Sequence, residues 1–387
     1  MDHIIHYDPD LPEDIPTPCF VLDLKRLRQN LETLDTVQRD SGCRILCALK
    51  GFAMHSVFSV VSEYLTGICA SGANEAKLGA EFFGKEIHVY APAFSDEEIE
   101  EILSIAHHIS FNSFGQWNRF KDRVLNSERS ISCGLRVNPE YSEVDTPLYD
   151  PCYPGSRLGI RRSEFEEQDL SGIEGLHFHT MCEQNADVLE RTLQRFEEKF
   201  SPFLKEMKWV NLGGGHHITS PAYNRDRLCR LISEFGKRYP QLEIYVEPGE
   251  AIALNAGVLV ASVMDIIEND GRNAILDTSA TCHMPDTLEM PYRAEIFGAA
   301  KPDEKEHAYR LGGLSCLAGD VIGEYAFDKP LSIGDRLYFL DMAHYTMVKT
   351  TMFNGVKHPA IATWDPDQQN LTIVRKFGYE DYKNRLS

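Results

Sequence analysis

The chain has 387 residues, and 43% of them are hydrophobic, which is enough for a sizeable core and excludes an intrinsically disordered protein. Lys and Arg total 39 against 59 Asp and Glu, so the formal net charge is −20 at pH 7, which makes nucleic acid a poor partner. The same charge either serves solubility alone or attracts a cationic small molecule, which the field of the protein would steer inward.

The sequence carries no sign of membrane insertion or secretion. No apolar run reaches the roughly 20 residues that a membrane-spanning helix needs. The first residues lack the basic and apolar regions of a secretion signal. Ten cysteines are scattered without a C-x-x-C pair, which argues against a structural zinc site and fits a reducing compartment. We therefore expect a cytoplasmic protein without a metal site.

Short apolar segments alternate with helical ones between residues 24 and 254. The predicted strands are residues 44–49, 86–90, 131–137, 175–179, 209–212 and 242–246. The predicted helices, which repeat apolar residues every three or four positions, include residues 24–34, 73–83 and 186–203. Alternating strands and helices indicate a parallel sheet, and this many units predicts a (β/α)8 barrel.

The pattern changes after residue 255, where long helical segments are missing. The predicted strands there are residues 256–267, 274–277, 314–316, 336–340 and 371–376. Short strands separated by turns predict an all-β domain. The N-terminal strand at residues 19–22 is expected to pair with it. The sequence thus predicts a barrel domain at 24–254 and a β domain made of 1–23 and 255–387.

Several functional residue types follow directly on predicted barrel strands. They are Lys50, His179, the triplet Gly213, Gly214 and Gly215, and Glu247. Barrel enzymes place their chemistry at this end of the strands. Each position also has an ordinary explanation, as a surface lysine, a structural histidine or part of a turn. Their coincidence at one end of one barrel favours a site.

This set of side chains fits the chemistry of pyridoxal phosphate. The Lys50 amine can form an imine with the cofactor's aldehyde, and the cofactor then acts as an electron sink. The N–H groups of the triplet 213–215 can bind the phosphate, while Glu247 would keep the pyridine nitrogen protonated. His179 could stack on the ring, and Arg136, near the end of a neighbouring strand, would lie near the cofactor.

The order of these motifs resembles that of the fold-type III pyridoxal-phosphate decarboxylases, the group of the ornithine and diaminopimelate decarboxylases. The resembling motifs cover nearly the whole chain and are Ala48-Leu49-Lys50, residues 175–179, the triplet 213–215, Glu247-Pro248-Gly249, Cys316 with Asp320, and residues 343–346. The resemblance implies an alanine-racemase-like architecture, which is a (β/α)8 TIM barrel with a C-terminal β domain. It also implies a homodimer with two shared active sites.

Within that family the chain is similar to the carboxynorspermidine and carboxyspermidine decarboxylases. The cues are residues 178–183, residues 211–219, and Glu250 directly after Glu-Pro-Gly. The similarity implies that the substrate is a small cationic carboxy-triamine. Its decarboxylation would give norspermidine or spermidine in polyamine biosynthesis.

The resemblance assigns roles to the barrel motifs by position. Lys50 would carry the Schiff base, His179 would stack on the cofactor, and Glu247 would bind the pyridine nitrogen. The triplet 213–215 would hold the phosphate together with Tyr345 from the β domain. A core position is the ordinary explanation for a tyrosine in such a domain.

Two further roles involve the neighbouring subunit. Cys316 of the β domain would be a catalytic proton donor or acceptor in the partner's active site, although a buried cysteine is usually only a small hydrophobe. By resemblance to a basic–acidic pair in relatives, Arg157 is expected to pair with Asp320 across the interface.

One departure from the relatives concerns the substrate. Diaminopimelate and ornithine decarboxylases generally have an arginine after Glu-Pro-Gly, where this chain has Glu250. An anion at that position favours a cationic substrate group. Asp286 lies in the loop where relatives contact the distal end of the substrate. We therefore expect Glu250, Asp286 and Asp320 to bind the substrate, with solvated loop acids as the alternative for Glu250 and Asp286.

Three other functions stay open on sequence alone. A decarboxylase of diaminopimelate or another basic amino acid is disfavoured by Glu250. An amino-acid racemase shares the architecture but lacks the late block of Cys316 and Asp320. A non-catalytic regulator on the same fold would be expected to have lost Lys50 or Cys316, and both are present.

Overall fold

The computed structural model describes residues 4–166 and 168–387. The chain divides into two compact units, one comprising the chain up to Gln29 together with Ala253–Ser387, the other Asn30–Ile252. These limits differ by a few residues from the predicted boundaries at 24 and 254, because they fall within helices rather than at their ends. No helix of the described residues is long and apolar enough to cross a membrane.

The secondary structure is numbered along the chain. The strands are β1 (Cys19–Asp23), β2 (Arg44–Ala48), β3 (Gly67–Ala70), β4 (Glu86–Tyr90), β5 (His108–Phe111), β6 (Ser132–Asn138), β7 (Ile160–Arg161), β8 (Ile173–His177), β9 (Trp209–Asn211), β10 (Glu243–Val246), β11 (Gly257–Glu268), β12 (Arg272–Leu276), β13 (His307–Gly312), β14 (Val321–Phe327), β15 (Arg336–Leu340), β16 (Ala360–Asp365) and β17 (Asn370–Arg375). The α-helices are α1 (Leu24–Ser41), α2 (Phe58–Tyr64), α3 (Ala73–Phe82), α4 (Asp96–Leu103), α5 (Phe114–Leu125), α6 (Ala186–Leu204), α7 (Arg225–Arg238), α8 (Glu250–Ala253), α9 (Ala280–His283), α10 (Asp286–Glu289), α11 (Tyr345–Val348) and α12 (Tyr379–Lys383).

A closed parallel barrel forms the unit Asn30–Ile252. Neighbours pair in the order β2, β3, β4, β5, β6, β8, β9, β10, and β10 pairs back onto β2, so the described strands close into a ring of eight. The short strand β7 pairs with β6 outside this ring. The predicted (β/α)8 barrel is confirmed, since such closure buries every strand edge.

The six strands predicted for the barrel agree with the structure to within two residues, whereas β3 and β5 were not predicted. Both have four residues, Gly-Ile-Cys-Ala and His-Ile-Ser-Phe, and nearly all of these are buried. Runs this short carry too little periodicity to distinguish a strand from part of a helix. The barrel interior contains a cluster of Leu46, Ala48, Cys69, Trp209 and Tyr245.

A mixed sheet forms the other unit, in the order β14, β13, β12, β11, β1, β16, β17, with β15 also paired to β11. The N-terminal strand β1 joins this sheet, as predicted, and it pairs antiparallel with β11 and parallel with β16. The predicted β domain is therefore confirmed. Its core lies in two clusters, one around Leu259, Tyr325 and Phe339, the other around Val260 and Trp364.

The strand predicted at residues 314–316 is wrong, because these residues form a bend between β13 and β14. The N–H of Ser315 donates to the Asp320 carboxylate at 3.0 Å, and that of Cys316 donates to Asn354 Oδ1 at 2.9 Å. Side-chain acceptors thus take the place of a neighbouring strand. A run of three residues is too short to show from the sequence which acceptors its N–H groups will have.

Candidate active site

The predicted functional residues of the barrel lie beyond the carboxyl ends of its strands. Lys50 comes two residues after β2, His179 two residues after β8, and Glu247 directly after β10. Parallel strands bring these positions to the same end of the barrel. The Lys50 Nζ atom lies 3.2 Å from His179 Nε2, so residues 129 positions apart in the chain are in contact.

His179 is held in a defined orientation by its neighbours. The Gly214 N–H donates to His179 Nδ1 at 3.0 Å, so in the neutral ring the proton lies on Nε2, which faces Lys50. Burial, followed by the nearby charges of Lys50 and Arg136, holds the pKa of His179 well below its usual range. The imidazole is therefore neutral at physiological pH.

The glycine triplet is packed so tightly that side chains are excluded. A Cβ on Gly213 would lie 2.4 Å from Phe178 O, and one on Gly215 would lie 2.0 Å from Met181 O. Both residues also have positive φ, +74° and +83°. The Gly213 N–H donates to Asn211 and that of Gly214 to His179, so these two N–H groups already have partners inside the protein.

Glu247 is 7% exposed and surrounded by polar side chains that the sequence did not identify. Its Oε1 accepts from Asn211 Nδ2 at 2.6 Å, and Oε2 lies 3.4 Å from His177 Nε2. Burial by itself raises the pKa of Glu247, but the interactions with His177 and Cys69 outweigh it and hold the pKa below its usual range. Glu247 is therefore anionic.

The residues around Glu247 were missed because they lie inside buried strands. His177 is the last residue of β8 and Asn211 the last of β9, each two positions before a predicted site residue. Side chains two positions apart in a strand share a face. A polar residue two positions before His179 and another two positions before Gly213 were the signal that could have found them.

Arg136 is a buried cation beside this group, 5% exposed. Its Nη2 donates to the His179 carbonyl at 3.2 Å, and its guanidinium carbon lies 4.4 Å from the centre of the Tyr90 ring. That ring meets the His177 ring edge-on at 5.5 Å. Arg136 therefore lies close to the other predicted residues of the barrel site, as predicted.

A second polar group involves the predicted substrate residue Glu250. Its carboxylate lies 2.9 Å from His217 Nε2, and both side chains are largely buried. An oxygen of Glu183 lies within 4.8 Å of both groups. Glu183, His217 and Glu250 follow β8, β9 and β10 in turn, so three adjacent strand ends supply two carboxylates and an imidazole.

The predicted acids of the β domain already have partners within that unit. The Asp286 carboxylate pairs with the Lys349 ammonium, which also lies 2.7 Å from Glu289. Asp320 is buried and accepts from Ser279 Oγ at 2.8 Å and from main-chain N–H groups.

The other residues predicted in the β domain lie in loops and at a helix start. Cys316 is exposed, and Tyr345 is the first residue of α11. The roles predicted for both residues in the active site stay predictions, as does the pairing of Arg157 with Asp320 across a subunit interface.

The chain matches the family model described as pyridoxal-dependent decarboxylase, C-terminal sheet domain, over residues 19–343. The carboxynorspermidine/carboxyspermidine decarboxylase of Campylobacter jejuni is 48% identical over 384 residues, which cover 96% of this chain and 99% of the relative. The carboxyaminopropylagmatine decarboxylase of Synechocystis is also 48% identical, over 373 residues that cover 96% of each chain.

Solved structures agree with these relationships. Carboxynorspermidine decarboxylase from Campylobacter jejuni, complexed with norspermidine, has a TM-score of 0.89 at 47% identity and covers 96% of this chain and 100% of that chain. Diaminopimelate decarboxylase from Helicobacter pylori, complexed with L-lysine, has a TM-score of 0.83 at 17% identity with 96% and 97% coverage, which supports the fold alone. The chain therefore belongs to the fold-type III pyridoxal-dependent decarboxylases, and it is a pyridoxal-phosphate-dependent decarboxylase rather than a racemase or a non-catalytic regulator.

Proposed function

We propose that this enzyme decarboxylates carboxynorspermidine and carboxyspermidine. The observation that carries the proposal is the 48% identity, over nearly both whole chains, to a decarboxylase named for these two substrates. Glu250 agrees with it, since this position puts an anion at the barrel end where relatives of other specificity generally have arginine. A cationic substrate group would be stabilised by that carboxylate.

Carboxyaminopropylagmatine is the second candidate substrate, because the relative named for it is equally similar. Its agmatine half ends in a guanidinium group, which is planar and binds carboxylates through two parallel hydrogen bonds. A terminal ammonium is compact and can be held by a single carboxylate. Glu250 alone is compatible with both cations.

The residues of the barrel site fit pyridoxal phosphate. No carboxylate of the described residues lies within ion-pair distance of the buried Arg136 guanidinium, and His177 Nδ1 is buried without a hydrogen-bond partner among them. A buried cation is costly to leave without an anion, and the cofactor's phosphate would supply one. Since Gly213 and Gly214 donate inside the protein, Gly215 is the member of the triplet that we assign to the phosphate.

When bound, pyridoxal phosphate supplies an aldehyde for the substrate amine and a conjugated ring that withdraws the electrons left behind by carbon dioxide. Lys50 would hold the cofactor through its amine. The neutral His179 ring would contact the cofactor without adding positive charge beside the Lys50 amine. The anionic Glu247 would accept a hydrogen bond from the pyridine nitrogen and keep its proton in place.

The β-domain assignments rest on the family resemblance. We propose a homodimer in which Cys316 is a proton donor or acceptor in the partner's site and Tyr345 contributes to phosphate binding. Asp320 accepts hydrogen bonds from three donors, which favours a role in ordering the loop that carries Cys316. These bonds favour that role over substrate binding and over pairing with Arg157. The cytoplasmic location stays a prediction from the cysteine content.

Carbon dioxide release from four substrates tests the proposal. They are carboxynorspermidine, carboxyspermidine, carboxyaminopropylagmatine and meso-diaminopimelate, each compared by kcat/KM with Lys50→Ala as the inactive control. We expect the first two to give the highest values and diaminopimelate the lowest. A preference for carboxyaminopropylagmatine would replace the proposed substrate, and a preference for diaminopimelate would reject a polyamine substrate altogether.

A further inference from the structure

Asn211 uses both ends of its side-chain amide. It is the last residue of β9 and only 2% exposed. Its Nδ2 donates to Glu247 Oε1 at 2.6 Å, and its Oδ1 accepts from the Gly213 N–H at 2.9 Å. We propose that Asn211 is a positioning residue that fixes the Glu247 carboxylate relative to the glycine triplet, and so aligns the groups assigned to the two ends of the cofactor.

The main chain sets the spacing but leaves the carboxylate free to rotate. Asn211 is paired with Tyr245 in the barrel, and the Glu247 N–H donates to Gly213 O at 2.7 Å. These bonds fix where the glutamate begins, whereas its side-chain torsions are set by what the carboxylate meets. The contact from Asn211 to that carboxylate is 2.6 Å long, which is shorter than the 3.4 Å contact from His177.

The orientation of the amide follows from hydrogen-bond chemistry. A main-chain N–H can only donate, so the amide oxygen must face Gly213, and the NH2 group must then face Glu247. A donor at this point stabilises the anionic carboxylate. Ionised aspartate offers no donor, the serine side chain is shorter by one carbon, and glutamine is longer by one methylene. Asparagine is the residue whose length and donor–acceptor pair satisfy both neighbours.

Asn211→Asp breaks one of the two links selectively. Aspartate still accepts from Gly213, but it places a second carboxylate against Glu247. Two carboxylates so close cannot both ionise readily, so one proton would be shared between them. The negative charge available to the pyridine nitrogen would fall, while the phosphate side of the site keeps its hydrogen bond.

The experiment compares Asn211→Asp, Glu247→Gln and the double variant, each reconstituted with pyridoxal phosphate. The readouts are the rate of cofactor loss on dialysis, the visible absorption spectrum against pH, and kcat for carbon dioxide release. We expect Asn211→Asp to raise the rate of cofactor loss and to lower kcat, each by about 10- to 100-fold, as for the loss of a hydrogen bond to a charged group. In the double variant the aspartate accepts from the glutamine amide, so cofactor retention should recover while kcat stays at the Glu247→Gln value.

Asn224→Asp is the matched control. Asn224 caps α7 by accepting from the Arg227 N–H, a role that aspartate performs equally well, so all readouts should stay at wild-type values. If Asn211→Asp fails to fold, Asn211→Ser replaces it, because serine loosens the link without adding charge. Wild-type retention, spectrum and kcat in Asn211→Asp or its replacement would overturn the proposal, as would a double variant that retains cofactor no better than Asn211→Asp. The dialysis and spectral readouts need no substrate, so they decide the proposal even if the assigned substrate is wrong.

Discussion

Glu247 in the barrel and Asp320 in the β domain are both almost completely buried carboxylates, yet they are stabilised differently. Glu247 meets the side chains of Asn211 and His177. Asp320 meets the Ser279 hydroxyl and the main-chain N–H groups of Thr281 and Ser315. A carboxylate held by main-chain donors orders a loop, whereas one held by side chains can be oriented towards a ligand. The difference predicts that Glu247 acts on the chemistry and Asp320 on the stability of the protein.

The largest effect is expected for Lys50, on which the barrel assignment depends. Lys50→Ala should abolish covalent attachment of pyridoxal phosphate and carbon dioxide release, because its amine is the one at the strand end facing His179. Borohydride reduction of the wild-type holoenzyme followed by peptide mapping measures this. The label should lie on Lys50, and Lys237→Ala, at the end of α7, serves as the control that keeps it. A label on another lysine would remove the site from this part of the barrel.

Glu247→Gln should act on turnover more than on cofactor binding. A neutral amide cannot hold the pyridinium proton, so kcat should fall by about 100-fold or more while the cofactor stays bound. Steady-state kinetics and the absorption spectrum of the dialysed protein measure the two effects. Near-full turnover would make Glu247 a structural acid like Asp320 and would erase the contrast between them.

Glu250→Arg should change the substrate that is accepted. Loss of a carboxylate partner for a buried ammonium costs about 2–5 kcal/mol, so kcat/KM for carboxynorspermidine should fall by orders of magnitude. Cofactor loading should be unaffected. The new cation would favour substrates with a distal carboxylate, which meso-diaminopimelate tests. Unchanged kcat/KM would mean that Glu250, which pairs with His217, does not bind the substrate.

Asp320→Asn should act on stability. The amide would turn an NH2 group towards hydroxyl and main-chain N–H donors, and a buried donor without an acceptor costs about 1–3 kcal/mol. Thermal and urea unfolding of the variant measure the loss, and Asp328→Asn, which alters an exposed ion pair, is the control. If stability is unchanged while kcat falls strongly, Asp320 belongs with Glu247 after all.

The sequence was sufficient to predict those site residues that the barrel topology brings together. Each of the three residues Lys50, His179 and Glu247 follows a barrel strand, and the carboxyl ends of all the parallel strands lie at one end of the barrel. Asn211 and His177 lie in the quoted motifs, but no role was predicted for either residue, because strands of a parallel barrel are buried on both faces and show no alternation that marks the inward side.

The ion pair between Asp286 and Lys349 also could not be predicted from the sequence. It joins residues 63 positions apart in loops and short helices. No periodicity relates such residues, so Asp286 was predicted as a free acid for the substrate, and the structure shows it in an ion pair.

The smallest effect is expected for Asp286, and it tests whether an acid that already has a partner can still bind substrate. Its carboxylate pairs with Lys349, which also pairs with Glu289, so Asp286→Ala leaves the lysine with one anion. Partly exposed pairs of this kind contribute about 1 kcal/mol or less. We therefore expect kcat/KM for carboxynorspermidine within about fivefold of wild type, with Lys349→Ala as the companion variant that frees Asp286. If Asp286→Ala lowers kcat/KM as much as Glu250→Arg does, the substrate displaces Lys349 and Asp286 binds a substrate amine, as the sequence first indicated.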